Sequence, residues 1–298
     1  VRRGAGQGNV VVVGRGWTVK LTAGCDTPEP HQAPVPNGPS ANGPSADVLV
    51  VGAGIAGLRA AQVLAGNRRR VIVVEARDRL GGRIHTDRSW GVPVELGASW
   101  IHGVQNNPIA AVAAAAGIET TASDYDSTVY RADGRRLPAG TLDELESRVA
   151  ELVEAGRKDS PDNDEPLRAA LDRAIAAEDL DARERLDVEM GITESIEHEY
   201  AADANDLSAN HFDDGGEETG GDVLLPGGYD KVVAAVADGL DVRLGHVVTR
   251  IDTSGARAVV VTSQGRCDAE SVIVTAPPGV RKSRSIEFVP PLPESTTT

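Results

Sequence analysis

The most regular hydrophobic pattern in the chain begins at Asp47 and predicts a strand, a turn, a helix and a second strand. Residues 47–51 form a short apolar run rich in β-branched side chains, as in a buried strand, and residues 71–74 repeat that pattern. Between them, apolar positions recur every three or four residues from Leu58 to Ala65, as in a helix that packs on a sheet. Because parallel strands are joined by such crossover helices, the pattern indicates an α/β fold with a doubly wound parallel sheet.

Further along, the patterns predict a helical middle and then more strands. Helical spacing predicts helices over residues 109–116, 141–153, 166–175 and 181–200, the second of which begins with a capping box between Thr141 and Glu144. Another helix is predicted over residues 230–237. Short apolar runs then predict strands over residues 242–244, 247–251, 258–262 and 271–275. The chain is therefore expected to pass from a sheet into helices and back.

The turn between the first strand and the helix carries a glycine fingerprint. Gly52 permits a tight turn, Gly54 lets backbone N–H groups approach a diphosphate, and Gly57 lets the helix lie close to the strand. The helix N-terminus then faces the phosphates with its partial positive charge. The context predicts dinucleotide binding, with a merely structural turn as the alternative. The predicted contacts in this turn are Gly52, Ala53, Gly54, Ile55, Ala56 and Gly57.

An acidic residue ends the second strand at the place where a dinucleotide needs one. Glu75 can accept hydrogen bonds from both hydroxyls of a ribose, and its charge repels a 2′-phosphate. NADP is therefore disfavoured. The fingerprint and Glu75 together do not distinguish NAD from FAD.

Composition narrows the classes of ligand. The 298 residues include 30 Lys and Arg against 45 Asp and Glu, which gives a formal net charge of −15 and a pI near 4.8. Nucleic acid is not an expected partner because phosphate neutralisation needs a basic face, whereas a cationic ligand suits this charge. No apolar run approaches the roughly 18 residues that span a bilayer. Cys25 and Cys267 lack metal-ligand spacing, and no metal site is predicted.

Residues 1–46 differ in composition from the rest and are expected to form a disordered leader and tether. Residues 28–45 are rich in Pro, Gly, Asn and Ser, and have too few apolar side chains to offset the entropy of ordering. Before them, a valine run at 10–13 and the sequence LTAGC look like a degraded lipoprotein export signal, although Arg15 and Lys20 interrupt its apolar segment. A cytoplasmic protein is the default expectation, and an exported lipoprotein anchored at Cys25 is the alternative.

A second glycine motif follows the strand that ends at Glu75, and this motif favours FAD over NAD. The segment EARDRLGGR, residues 75–83, sets a glycine pair beside arginines, and Arg83 offers a fork of donors that can neutralise the same diphosphate. Together with VELGASWIHG, residues 94–103, this segment resembles the flavin-containing amine oxidases, which include polyamine oxidases, monoamine oxidases and histone-demethylase relatives. An NAD-dependent dehydrogenase does not need either segment, so this class of enzyme is disfavoured.

The resemblance implies noncovalent FAD and assigns roles to individual residues. Glu75 would bind the adenosine ribose, Arg77 would lie along the adenosine, and the backbone of Val248 would contact the adenine. Residues 97–100 would border the flavin ring. His102 would lie in the substrate funnel as the candidate catalytic residue, with a hydrogen-bonded structural histidine as the alternative. Beyond the first turn, the implied FAD contacts are Glu75, Ala76, Arg77, Gly82, Arg83, Gly97, Ala98, Ser99, Trp100 and Val248.

The resemblance also implies a Rossmann-like FAD-binding domain interrupted by an incomplete, mainly helical substrate domain. The first part of the FAD-binding domain is predicted at residues 47–125, the helical insertion at 126–215, and the return at 216–298, truncated before the family's C-terminal FAD motif. The implied activity is oxidation of an amine C–N bond in a small cationic polyamine or monoamine, with dioxygen as acceptor. The alternatives are a catalytically inactive FAD-binding remnant and a related flavin amino-acid oxidase or desaturase.

Overall fold

The chain folds into two compact units. The computed structural model describes residues 11–14, 17–20, 45–123, 128–131, 134–158, 165–214 and 219–293. One unit, here called the helical unit, comprises the described residues between Asp124 and Glu218, and the other, here called the sheet unit, comprises the described residues between Gln7 and Ser123 and between Thr219 and Thr298. Cys25, the proposed lipidation site, lies outside the described residues, as do residues 28–44 of the predicted tether.

The helices and strands follow the predicted order of sheet, helices and sheet. The first part of the sheet unit contains β1 (Val11–Gly14), β2 (Trp17–Lys20), β3 (Ser45–Val51), α1 (Ile55–Gly66), β4 (Val71–Val74), β5 (Thr86–Asp87), β6 (Val94–Glu95), β7 (Trp100–Ile101), α2 (Pro108–Ala115) and β8 (Thr121–Ala122). The helical unit contains α3 (Thr141–Lys158), α4 (Leu167–Ala176), α5 (Ala182–Ile192), a π-helical turn (Thr193–Glu197) and α6 (His198–Tyr200). The second part of the sheet unit contains β9 (Val223–Leu224), α7 (Asp230–Ala237), β10 (Asp241–Arg243), β11 (Val248–Asp252), β12 (Ala258–Thr262), β13 (Gly265–Val274), α8 (Pro278–Lys282) and β14 (Glu287–Val289).

The central sheet is mixed, with the strand order β10-β4-β3-β13-β12-β11-β14. β10, β4, β3 and β13 are parallel neighbours, whereas β12 pairs antiparallel with both β13 and β11. The prediction of a parallel sheet is therefore wrong for this part of the α/β fold. The physical reason is that β11, β12 and β13 follow one another through turns of a few residues, which can join only antiparallel neighbours.

Alternate residues of β3 enter two different hydrophobic cores. Val48 and Val50 pack in one core with Leu58 of α1 and with residues of α7. Leu49 packs in the other core, where Val260 of β12 and residues of β11, β13 and β4 surround it. A strand buried on both faces has apolar residues at successive positions rather than at alternate ones, which is the pattern from which β3 is predicted.

The predicted leader contains regular structure at two places. β1 and β2 pair antiparallel with each other, and β1 also pairs antiparallel with Val272–Val274 of β13. Ser45 and Ala46 belong to β3. The expectation of a disordered leader over all of residues 1–46 is therefore wrong at these positions. The valine run suits an extended backbone because β-branched side chains favour strands.

The helical unit has its own hydrophobic core. α3, α4 and α5 contribute Leu152, Leu171 and Ile192, each almost fully buried. The helix predicted over residues 181–200 is confirmed as α5, the π-helical turn and α6. It ends where Ala201 adopts a left-handed φ of 49°. No helix among the described residues combines the length and apolar character that a membrane span requires.

The capping box predicted at the start of α3 is wrong. Thr141 is the first residue of the helix, and its hydroxyl donates to the carbonyl oxygen of Pro138 at 2.8 Å. The backbone N–H of Glu144 donates instead to the carbonyl of Gly140 at 3.0 Å. The position of Thr141 inside the helix explains the difference, since a capping side chain must come from the residue just before it.

Candidate functional site

Four parallel strands end together at one edge of the central sheet. The last residues of β10, β4, β3 and β13, which are Arg243, Val74, Val51 and Val274, are aligned across this edge. Open α/β sheets bind their ligands outside the carboxyl ends of the strands. The loops at this edge carry the glycine turn after β3 and Glu75 after β4, so the topology brings the predicted dinucleotide contacts together.

The turn after β3 has the shape that its glycines predict. Gly52 has a φ of 107°, and a Cβ placed on Gly57 would lie 2.1 Å from the carbonyl oxygen of Gly52. The hydroxyl oxygen of Thr275, just after β13, lies 3.0 Å from the carbonyl oxygen of Val51 and 3.2 Å from that of Gly52. Thr275 thus supports the turn from the neighbouring strand, and α1 can approach β3 because position 57 has no side chain.

The first turn of α1 presents backbone N–H groups to the same edge. α1 begins at Ile55 with Gly54 as its N-cap, and no described side chain caps it. The first N–H groups of an α-helix have no acceptor within the helix. Those of Ile55, Ala56 and Gly57 are therefore oriented to bind an anion, assisted by the positive end of the helix dipole.

Glu75 connects the two predicted halves of the dinucleotide site. Its side chain accepts hydrogen bonds from the backbone N–H of Ala53 at 2.8 Å and from that of Arg77 at 3.0 Å. The residue is only 9% exposed. These donors use one acceptor position on each carboxylate oxygen, and a carboxylate offers about four. Glu75 therefore orders the glycine turn and retains acceptor capacity for a ribose.

The second glycine pair packs directly against the first glycine turn. The backbone N–H of Gly81 donates to the carbonyl of Ala53 at 2.9 Å, and Gly54 and Gly81 form a parallel bridge. Gly82 has a φ of 61°, and a Cβ placed on it would lie 3.4 Å from the Cα of Gly54. The two glycine motifs, distant in sequence, thus form one surface of backbone.

Arg79 holds the loop that contains this second glycine pair. Its guanidinium donates to the carbonyl oxygens of Leu80, Gly82 and Ile84 at 3.0–3.2 Å. Sequence reasoning does not single out Arg79. Its only signal is its place within EARDRLGGR, because a side chain that satisfies carbonyls of its own loop leaves no spacing pattern in the sequence.

Arg83 and the segment after β6 lie next to each other. Arg83 is exposed, and its carbonyl oxygen accepts from the backbone N–H of Ala98 at 3.2 Å. A Cβ placed on Gly97 would lie 1.9 Å from the same oxygen, so only glycine fits there. The structure therefore joins the residues predicted to contact the diphosphate and those predicted to border the flavin ring. Ser99 lies in the same segment, and its hydroxyl donates to the carbonyl of Gly97 at 3.2 Å.

Trp100 and His102 lie side by side at the far end of that segment. Their rings are nearly parallel, with centroids 6.1 Å apart and an interplanar angle of 21°. The indole N–H of Trp100 donates to the hydroxyl of Ser123 at 3.1 Å. His102 Nδ1 lies 2.7 Å from a carboxylate oxygen of Asp222. His102, the candidate catalytic residue, therefore has a charged partner. Spacing along the chain does not reveal this partner, because 120 residues separate the two.

Val248 opens β11 close to the loop that follows β4. The N–H of His246 donates to the carbonyl of Glu75 at 2.8 Å, and the N–H of Gly245 donates to that of Arg77 at 2.9 Å. Val248 itself is 7% exposed. The β10–β11 loop therefore brings the predicted adenine contact to the side of the predicted ribose contact.

The described residues hold no group of three or more His, Cys, Asp and Glu side chains arranged to bind a metal ion. Cys267 is buried, and burial raises the pKa of its thiol.

Comparison with known proteins places the chain in a family. Residues 55–298 match the family described as flavin containing amine oxidoreductase. Polyamine oxidase 5 of Oryza sativa subsp. japonica is 33% identical over 282 residues, which cover 87% of this chain and 56% of that protein. Probable polyamine oxidase 4 of Arabidopsis thaliana is 34% identical over 269 residues, which cover 84% of this chain and 54% of that protein.

A solved structure supports the same relationship. Wild-type putrescine oxidase bound to putrescine has a TM-score of 0.61 and 26% identity, and the match covers 85% of this chain and 62% of that one. The chain spans about half the length of the curated relatives it matches. Since the family match extends over most of the sequence, the chain belongs to the flavin-containing amine oxidoreductase family.

Proposed function

We propose that this chain binds FAD noncovalently at the carboxyl edge of its sheet and oxidises a small amine with dioxygen as the acceptor. The observation that carries the proposal is the single backbone surface formed by the two glycine motifs. Gly54 and Gly81 are bridged there, and the uncapped first turn of α1 lies beside them. A diphosphate fits such a surface because it needs closely approaching N–H groups and no intervening side chains.

The residues around this surface suit the remaining parts of FAD. Arg83 would contribute a charged fork of donors to the diphosphate, and Glu75 would accept from the adenosine ribose. The backbone near Val248 would border the adenine, and residues 97–100 would border the flavin ring. The chemistry supplied by a bound FAD is two-electron oxidation of the amine C–N bond, with dioxygen reduced to hydrogen peroxide. The protein's own part is to orient the amine and exclude water.

A cationic substrate is supported by charge and by relationship. The net charge of −15 favours the approach of a polyamine or monoamine over that of an anion. Relatives are named polyamine oxidases, and the related putrescine oxidase is solved with putrescine. His102, paired with Asp222, is the proposed contact for the amine.

A flavin titration tests the cofactor site. The 298-residue chain should become yellow on reconstitution, and acid denaturation should release the flavin into solution, as noncovalent binding requires. Arg83→Gln should weaken FAD binding by about 10- to 150-fold, because one charged hydrogen bond contributes about 1.5–3 kcal/mol. Arg69→Gln makes the same charge change at the opposite end of α1, where Arg69 pairs with Glu270 at 3.1 Å, and should leave the affinity within about twofold. Absence of flavin absorbance after reconstitution, or equal effects of the two variants, contradicts the proposal.

A second candidate is an FAD-binding protein without turnover, because the contacts described above form the cofactor surface and only the His102–Asp222 pair is assigned to the amine. Hydrogen peroxide release with spermine, spermidine, putrescine and simple monoamines separates the two candidates. Turnover with any of these amines supports the oxidase, whereas flavin binding without peroxide release supports the second candidate. If the chain is instead a flavin amino-acid oxidase or desaturase, turnover is expected with amino acids or polyenes.

A further inference from the structure

Asp222 holds two consecutive residues of the segment that contains His102. One carboxylate oxygen lies 2.7 Å from His102 Nδ1, and the other accepts from the backbone N–H of Gly103 at 2.8 Å. The Asp222 side chain is 11% exposed, whereas that of His102 is 36% exposed. The carboxylate is therefore shielded from solvent, whereas part of the imidazole side chain is exposed.

The backbone fixes both partners of this pair. β7 and β9 pair antiparallel with Ile101 opposite Val223, which places His102 and Asp222 beside each other. The carbonyl of Asp222 accepts from the N–H of Ser123 at 2.9 Å, and the carbonyl of His102 accepts from the Asn107 side chain at 2.8 Å. The pair therefore does not depend on side-chain rotamers alone.

The partner determines which imidazole nitrogen carries the proton. An ionised carboxylate only accepts hydrogen bonds, so Nδ1 of His102 must be the donor to Asp222. In the neutral ring Nε2 is then unprotonated and can accept. The ring of Trp100 lies nearly parallel to the imidazole, with the ring centroids 6.1 Å apart.

We propose that Asp222 is a positioning residue that keeps His102 in the tautomer with the proton on Nδ1. Nε2 then accepts a hydrogen bond from an N–H of the cationic amine. If the proton passes to Nε2, the amine becomes neutral and Asp222 stabilises the imidazolium that forms. The role toward the amine rests on the proposed function, whereas the tautomer does not.

Nitrogen NMR of the full chain tests the tautomer without any cofactor. His102→Gln identifies the His102 signals by their loss, and the wild-type spectrum at pH 8 should show a protonated Nδ1 and an unprotonated Nε2. Asp222→Asn should reverse this state, since the amide oxygen can still accept from Gly103 while the amide nitrogen donates to Nδ1. Asp241→Asn, which removes a carboxylate paired with Arg243 on β10, should leave the His102 signals unchanged.

Two results overturn the positioning role. One is a wild-type spectrum with the proton on Nε2, which is decisive even when Asp222→Asn fails to fold. The other is a folded Asp222→Asn protein that keeps the wild-type tautomer.

Steady-state kinetics of the FAD-loaded chain test the link to the amine. Asp222→Asn should lower kcat/KM for the best amine about tenfold or more and should leave the affinity for FAD at the wild-type value. The control, Asp241→Asn, should have wild-type kinetics. A shifted tautomer with unchanged kcat/KM overturns the link to the amine. A chain that binds no flavin contradicts the proposed function, and the NMR result still decides the positioning role.

Discussion

Replacing Gly57 with alanine separates the demands of the glycine turn from ordinary helix propensity. An alanine in a helix is more favourable than a glycine by about 1 kcal/mol. At position 57, however, the new Cβ would lie 2.1 Å from the carbonyl oxygen of Gly52 and 2.7 Å from the hydroxyl of Thr275. Real Cβ atoms essentially never approach other atoms closer than 3.0 Å. The carbonyl of Gly52 must therefore move away from the new Cβ by roughly the difference between 2.1 Å and 3.0 Å.

The size of the effect follows from what must move. The neighbour at position 52 is backbone, and the N–H of Gly52 is itself bonded to the carbonyl of Val74 at 2.8 Å. Overpacking of this kind costs about 1–3 kcal/mol. Taking the upper end because the obstacle is backbone, and subtracting the helix-propensity gain, Gly57→Ala should be less stable than wild type by about 2 kcal/mol.

A matched control lies in the same helix. A Cβ placed on Gly66 would meet no atom within 4 Å, so Gly66→Ala should be as stable as wild type or up to about 1 kcal/mol more stable. The two variants should therefore differ by about 2–3 kcal/mol, or about 4–12 °C in melting temperature. Far-UV circular dichroism in urea and on heating measures this, and a flavin titration should show weakened binding only for Gly57→Ala. Melting of the two variants within about 2 °C of each other would refute the reasoning.

Three further predictions rest on other contacts. Glu75→Gln leaves one of two backbone N–H groups without its acceptor, and should lower the free energy of unfolding by about 1–3 kcal/mol in urea titrations, whereas an unchanged midpoint contradicts that role. Asn107 caps α2 by accepting from the N–H of Ile109 at 2.8 Å and also donates to the carbonyl of His102, so Asn107→Ala should cost about 1 kcal/mol or more in thermal melts, and Asn107→Asp, which keeps the cap but cannot donate to His102, should also melt below wild type. Hydrogen bonds from Arg168 hold the pKa of Glu189 below its usual 4.5, so the stability from this pair is present above that pH and is lost as the pH falls through the lowered value. Glu189→Gln should therefore flatten the acid side of the melting-temperature profile, and an equally steep profile would count against the pair.

Local patterns predicted most of the helices and strands because their causes are local. The helix expected over residues 230–237 is confirmed as α7, with the bounds Asp230–Ala237. The helix expected over residues 109–116 is also confirmed, as α2 with the bounds Pro108–Ala115. The antiparallel pairing of β12 with β11 and β13 departs from the predicted parallel sheet, although the short connections already required it. Thr141 was predicted as the capping residue but is the first residue of α3, because the side-chain pattern does not distinguish these two positions.

The candidate site likewise has residues that the sequence predicts and contacts that it does not. The residues of each glycine motif could be named from the sequence, since close backbone approach demands glycine and leaves a visible spacing. The contact between Gly54 and Gly81, the support of the turn by Thr275, and the loop held by Arg79 could not, because each depends on which loops meet at the carboxyl edge.

By itself, the sequence determined that a strand, a glycine turn and a helix follow one another in the pattern from which nucleotide binding is predicted, because those constraints act within about thirty residues of chain. Only the tertiary structure decided that His102 faces Asp222 and that Arg83 adjoins Gly97. These pairs arise from strand pairing and loop contact across the fold, and no local propensity encodes which distant segments will become neighbours.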